Sequence, residues 1–287
     1  MKPRGYIVFG LVVLGILVAF PALAVEQERR EAESGDIPLG RLSQALLAVN
    51  YAGYEELRYD ISWTGGIKIG ELMLRVRPLE EPERFRIIAK VQDYGVFRFF
   101  YPVNDTFITD VQGPQRLPSI YKVHQLEGHG GAETRRLTRY DQQGLKVYYR
   151  RDQEPEQVFT ISGPVQNEFS SFFGMRAMPL DPGNLFLVPT FSDGKRHEVR
   201  VQVLGREQVD SIFGLVQTVK VLPKMEFRGL YDKNGDTVIW FTDDPCRVPV
   251  RINSRILIGS LTAELVGYVN PFCADYPAVS GGGKREP

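Results

Sequence analysis

Over most of its length the chain alternates apolar and polar residues with a period of two, and that pattern limits its fold more than any other feature. In "ELRYDISW" (56–63), Leu57, Tyr59, Ile61 and Trp63 share one face, while Glu56, Arg58, Asp60 and Ser62 share the other. "GELMLRVR" (70–77) puts Leu72, Leu74 and Val76 against Met73, Arg75 and Arg77. The same rhythm returns in "RFRIIAKV", "SIYKVHQL", "LKVYYR", "HEVRVQVL" and "VRINSRILI". Successive side chains of a strand point to opposite sides, so alternation predicts antiparallel sheet with one covered face. "TGG" (64–66), "QQG" (142–144), "SDG" (192–194) and "KNGD" (233–236) supply turn chemistry between the runs, and Asn234-Gly235 suits a tight hairpin.

Two segments break the rhythm. "VQNEFSSFFGMRAM" (165–178) spaces Phe169, Phe172 and Phe173 at helical intervals, with Gln166 or Asn167 as cap and "PLDPG" as terminator. "LGRLSQALLAV" (39–49) carries leucines at helical spacing and predicts a second short helix. The expected fold is mainly β (α+β): a large curved antiparallel sheet, half-barrel or barrel-like, with one or two short helices. A meander this long must curl or close to protect its edges.

The first residues read as a secretory signal. Lys2 and Arg4 precede an apolar run from Tyr6 to Phe20, and Ala22-Leu23-Ala24 offers cleavage between Ala24 and Val25. The run is shorter than the ~20 residues that span a bilayer, which favours removal over an uncleaved inner-membrane anchor. The expected organisation is a signal peptide over 1–24, a charged leader and short helix over 25–50, a single β-rich domain over 51–272, and a C-terminal tail over 273–287 with a disordered glycine-rich end. The expected location is periplasmic. Export permits disulfides, so Cys246 and Cys273, the only two cysteines, are expected to pair.

The chain has 35 basic and 35 acidic residues, and loss of Lys2 and Arg4 with the signal leaves a formal charge of −2. Nucleic-acid binding calls for a concentrated basic excess, which is not present. "RYDQQGLKVYYRRDQ" (139–153) is locally basic and aromatic, but its acids are interleaved and its alternation is that of a solvated hairpin.

Chemistry is sparse. Asp243 and Asp244 are adjacent, and neighbours on a strand point apart, so a shared-proton pair is disfavoured. Asp244-Pro245 reads as a turn start with Arg247 as an ion-pair partner for one aspartate. "DKNGD" (232–236) resembles part of a calcium loop, but its Gly235 stands fourth where such a loop needs glycine sixth. His124, His129 and His197 supply no metal-ligand spacing, so neither metal nor cofactor is expected. Gly-x-Ser-x-Gly, P-loop and dinucleotide motifs do not occur. What remains is aromatic density: 17 Phe, 13 Tyr and two Trp. "VFRFFYPV" (96–103) and "VIWFTDD" (238–244) are apolar on both faces, either because they are sandwiched in the core or because they face a ligand. Trp63, Phe99, Trp240 and Phe241 are the candidate ligand contacts.

Several stretches resemble the bacterial exported domain-of-unknown-function family 3108. "EELRYDISWTGGIKIGELMLRV" is similar to its opening, although the glycine the family often places before the glutamate is missing here. "FGLVQTVKVLP" and "WFTDDPCRVPVRINSRILIGSLTAEL" resemble its later elements, and the likeness spans about Tyr54 to Tyr268. The resemblance implies export and a curved sheet like that of periplasmic lipoprotein carriers, with no activity or catalytic residues. The leading expectation is a non-catalytic carrier for lipid or another apolar ligand, or an envelope-assembly factor with envelope proteins as partners. A carrier needs a concave apolar face left open, not one plugged by side chains. The alternatives are a hydrolase of envelope polymers using Asp243, Asp244, Arg247 and His124, and a scaffold that docks a protein. An unpaired, uncharged edge strand favours the scaffold.

Overall fold

The computed structural model describes residues 37–95, 99, 102–128, 132–192, 194–224, 237–256 and 259–280. The signal segment with Ala24 and Val25, the "DKNGD" turn, most of "VFRFFYPV", His129 and the tail beyond 280 lie outside the described residues.

The alternating segments become fourteen strands: β1 (Glu55–Trp63), β2 (Ile67–Pro78), β3 (Arg84–Asp93), β4 (Asn104–Gln112), β5 (Leu117–Glu127), β6 (Ala132–Asp141), β7 (Lys146–Arg151), β8 (Gln157–Thr160), β9 (Leu185–Ser192), β10 (Lys195–Ser211), β11 (Gly214–Lys224), β12 (Thr237–Thr242), β13 (Pro249–Arg255) and β14 (Ser260–Val269). They form one antiparallel sheet in the order β8-β7-β6-β5-β4-β3-β2-β1-β14-β13-β12-β11-β10-β9. Two meanders therefore leave a common seam, where β1 pairs with β14, and run in opposite directions to β8 and β9. The ladder does not close between those two ends, and the sheet is mainly β and barrel-like without being a closed barrel.

Among the described residues five register shifts interrupt its ladders, and two of them bear on the faces of the sheet. The β1–β2 register shifts between Ile61 and Ser62, beside Gly70. A Cβ at Gly70 would lie 2.7 Å from the backbone oxygen of Gln92, so only glycine permits β3 to approach there. In the long β10–β11 hairpin the register shifts between Val203 and Gly205. That extra residue reverses which face points inward. Val199, Val201 and Val203 join one apolar cluster, while Val209, also odd-numbered, joins the other.

Helix α1 (Gln44–Asn50) is capped by Ser43, whose side chain accepts from the Leu46 N–H. It starts later than the leucine spacing predicts, because Leu39 bridges to Leu187 and the Gly40 N–H donates to the Leu187 carbonyl at 2.8 Å. Strand-like pairing there overrides helical spacing. Helix α2 (Glu168–Met175) has Asn167 as its cap, in a capping box with Ser170. The same Asn167 donates through Nδ2 to Thr109 Oγ1 at 3.0 Å, which fixes the helix on β4.

The covered face of the sheet is filled by its own side chains. One cluster joins Leu57, Leu74, Ile87, Phe107, Val123 and Val147 to Leu47 of α1 and Phe173 of α2. The other joins Phe186, Val201, Val221, Ile239 and Phe241 to Met175, Met178 and Leu180. Phe172 of α2 packs against both.

Candidate functional site

The turn between β12 and β13 is held by several side-chain bonds. Asp244 accepts through Oδ1 from the N–H of Cys246 at 2.7 Å and of Arg247 at 3.3 Å, the Asp-Pro turn that the sequence predicts. Its other oxygen accepts from the Tyr276 hydroxyl at 2.5 Å. Burial, together with that bond to Asp244, pushes the Tyr276 hydroxyl up to about 12. Asp243 pairs with Arg206 at 2.5 Å and Arg247 at 3.3 Å. Cys246 and Cys273 form a disulfide with their Cα atoms 5.9 Å apart. It ties the segment after β14 to this corner, and Val279 bridges back to Tyr268.

Beneath the disulfide lies a charge pair that sequence reading missed. Arg176, just past α2, is fully buried and meets Glu55, the first residue of β1, through Nη1 at 2.5 Å and Nη2 at 2.9 Å. Two further donors, on Nε and Nη2, reach the carbonyls of Arg247 at 3.0 Å and Cys246 at 2.9 Å. Glu55 also accepts from Asn270 at 3.1 Å and from the Tyr268 hydroxyl at 3.3 Å. Burial opposes the charge on Arg176, but Glu55 outweighs it and raises the guanidinium pKa further. With these bonds in place, the pair is a structural lock joining β1, α2, the β12–β13 corner and the C-terminal segment. An arginine alone in "GMRAM" gives no hint of a glutamate 121 residues away.

A second buried polar group sits on the inner face of β4 and β5. Asp105 accepts from Gln125 Nε2 at 3.0 Å and from the Leu126 N–H at 3.2 Å, and Arg136 donates to Gln125 at 3.0 Å. Burial pushes the Asp105 carboxyl up to about 6; Gln125 opposes the shift and the charge of Glu127 adds to it. Its signal in "VNDTFITD" is a carboxylate in phase with Phe107 on the apolar face.

The candidate aromatic contacts differ in their surroundings. Phe241 is fully buried in the second cluster. Trp240 faces the other side of β12, donates to Glu207 and lies under Lys220, 5.2 Å from its ring centroid. Trp63 ends β1 opposite Leu261, and Phe99 is 76% exposed in the β3–β4 connection. His124 pairs with Glu133 at 2.7 Å on the solvent side, away from Asp243 and Asp244, and His197 is half-buried on β10. No group of three or more histidine, cysteine or carboxylate side chains among the described residues is placed to hold a metal. Among them there is also no helix long and apolar enough to cross a membrane.

The two ends of the sheet differ. The free side of β9 is covered by the chain itself: Gly40 donates to Leu187 O, Gln166 to Pro189 O, and Phe191 to Gln166 O, each at 2.8 Å. On β8 the Ile161 N–H donates to Leu145 O at 3.0 Å, which sets the parity of the β7–β8 ladder. Gln157 and Phe159 turn their backbone groups toward β7, and Val158 and Thr160 turn theirs away. The sequence "QVFT" has no charge, proline or bulge, the usual protections of an edge.

Residues 58–266 match the family described as "Protein of unknown function (DUF3108)". Among solved structures, the chain is similar to a beta-barrel-like protein of the domain-of-unknown-function family DUF1849 from Brucella abortus, at 9% identity and a TM-score of 0.50, covering 75% of this chain and 97% of that one. A protein from Bacteroides fragilis described as exported, with a YmcC-like fold, matches at 12% identity and a TM-score of 0.36, over 82% of this chain and 99% of that one. A comparison with curated proteins returns no match. The first likeness supports the barrel-like fold and carries no activity with it.

Proposed function

From a chain that belongs to the DUF3108 family, we propose an exported, non-catalytic envelope protein that works by docking partner proteins on its surface. The observation that carries this reading is the contrast between a filled inner face and an uncharged strand edge at β8 that no backbone group among the described residues covers. A carrier needs a lumen, and the sheet spends its inner face on its own side chains. A hydrolase needs free carboxylates converging in a cleft, whereas Asp243 and Asp244 are each held in structural bonds. Export is supported by the signal-like first residues and by the Cys246–Cys273 disulfide, a bond suited to an oxidising compartment.

The test is native mass spectrometry of the mature protein taken gently from the envelope, with organic extraction alongside. The docking reading predicts the mass of the bare polypeptide with its disulfide closed. A lipid or acyl adduct of discrete mass would overturn it in favour of a carrier.

A further inference from the structure

We infer that the end of the sheet opposite the disulfide corner carries an apolar rim that dips into the interfacial zone of a lipid bilayer. This goes beyond partner docking and leaves the inner face filled, because the lipid is met by connections and not enclosed. Strand direction places the β1–β2, β3–β4 and β13–β14 connections at one end and the Cys246–Cys273 corner at the other. The three connections are laced into one surface. Trp63 stands opposite both Ile67 and Leu261, Thr64 Oγ1 accepts from the Ser260 N–H at 2.8 Å, and the Tyr94 N–H donates to the Ile69 carbonyl at 2.9 Å. Lys68 lies over the Tyr94 ring, 4.1 Å from its centroid. Ile67 is 52% exposed, Tyr94 49% and, on the β3–β4 connection, Phe99 76%. Half-buried Trp63, Ile256 and Leu261 adjoin them. Large apolar side chains exposed side by side mark a contact surface.

The tips fit a bilayer better than a folded partner. A Cβ added at Gly65, Gly66 or Gly95 would meet nothing within 4 Å, so the turns project singly into open space instead of walling a pocket for a partner's anchor. A folded partner needs roughly 1,000 Å² of complementary surface, whereas fluid lipid closes around separate tips. The side chains are those that favour the lipid–water boundary. Tyr94 and Trp63 join an apolar ring to a polar group, while Ile67 and Phe99 supply apolar area. Charge does not oppose insertion. On β1 and β2 the nearest carboxylates, Asp60 and Glu71, stand roughly 10 Å or more down the strands from Trp63 and Ile67, and Lys68 holds both at 2.9 Å. Asp93, beside Tyr94, accepts from the Val103 N–H at 3.2 Å. Arg255 is exposed at the same end, makes no ion pair among the described residues and suits an anionic headgroup. Asp152, Glu154 and Glu156 follow β7, on the β8 side, so the seam side leads toward the lipid.

The experiment sediments the full mature chain with sucrose-loaded vesicles of phosphatidylethanolamine and phosphatidylglycerol, at low and at high salt. Saturable binding is expected, weakened only a few-fold by salt because apolar contacts dominate. The triple variant Ile67→Ser, Tyr94→Ser and Phe99→Ser is expected to bind at least about tenfold more weakly. Its melting midpoint stays within a few degrees of wild type, because all three side chains are exposed. Leu215→Ser, which alters an exposed leucine at the other end of the sheet, is expected to bind as wild type does. The two tryptophans report position. Vesicles with brominated acyl chains should quench Trp63 in a Trp240→Phe chain and leave Trp240 unquenched in a Trp63→Phe chain. No binding by the wild type, equal binding by the triple variant, or quenching confined to Trp240 overturns the rim. A protein as the occupant of this end predicts the first of those outcomes. The native mass is a separate test: a lipid adduct of discrete mass rejects partner docking in favour of a carrier, while the rim stands or falls on its variants.

Discussion

The two junctions of the sheet are built in opposite ways. At the seam, β1 and β14 are joined by a continuous ladder, a disulfide and the buried Arg176–Glu55 pair. At the far side, β8 and β9 share no ladder, and among the described residues the chain covers β9 but not the outer edge of β8. The difference teaches where this fold can give way. A sheet of fourteen strands must end somewhere, and this one concentrates its binding energy where the two meanders start. The open side is held by side chains such as Phe159 and Phe191, and it is free to engage something else.

Breaking the seam should have the largest effect. Arg176→Met leaves Glu55 buried without its partner, and a loss of about 3–5 kcal/mol is expected in urea unfolding. The double variant Glu55→Leu with Arg176→Met should recover most of that loss, since an apolar pair of similar volume is often neutral or better. A double variant as unstable as the single would mean that the lock acts through something other than the charge pair. Replacing Cys246 and Cys273 with serine comes next. The bridge closes a sequence separation of 27, for which its loss costs about 3 kcal/mol. In the exported, unreduced wild type, neither thiol should take up label.

Acid titration sharpens the comparison, because each side holds a carboxylate shifted in the opposite sense. Glu56, beside the seam, is buried against its charge, but bonds from Tyr54, Arg75 and Arg58 hold it down at about 2. Its stabilisation is present above its unfolded value of 4.5 and is lost as the pH falls toward 2. Asp105, on the β8 side of the seam, has a folded value of about 6 against 3.8 unfolded. Its contribution is complete below 3.8 and is lost as the pH rises through 6. Thermal melts should therefore show greatest stability near pH 4–5. Asp105→Asn should flatten the decline from pH 4 to 7, and Glu56→Gln should flatten the decline on the acid side. An unchanged profile in both variants would contradict these assignments. The smallest effect is expected at the open junction. Phe159→Ala removes a half-buried ring, and about 1–2 kcal/mol should be lost, well below the seam variants.

Much of this fold was legible as period-two alternation, since each strand pairs with a sequence neighbour and needs little long-range information. Leu57, Tyr59, Leu74 and Val76 are buried as their phase predicts. The helix after Asn167 was legible from its cap and from the spacing of Phe169, Phe172 and Phe173. Less visible were features set by distant partners. Leu39 and Gly40 carry helical spacing but are drawn into pairing with β9, and Val209 is turned to the opposite face by a bulge at Leu204–Gly205. At the site, the Asp-Pro turn and the cysteine pair could be read locally. Arg176 and Glu55 could not, because a charge looks solvated until the fold buries it. The bare edge was hidden for a related reason: "QVFT" reads as an ordinary strand until its place at the end of the order is known.

Amide hydrogen exchange, resolved residue by residue, tests the contrast between the two sheet edges most directly. The account predicts rapid exchange at Val158 and Thr160, with slow exchange at Gly40, Gln166 and Phe191, whose N–H groups are bonded along the covered side. Equal protection at the two sets would contradict it, because β8 would then already have a partner strand.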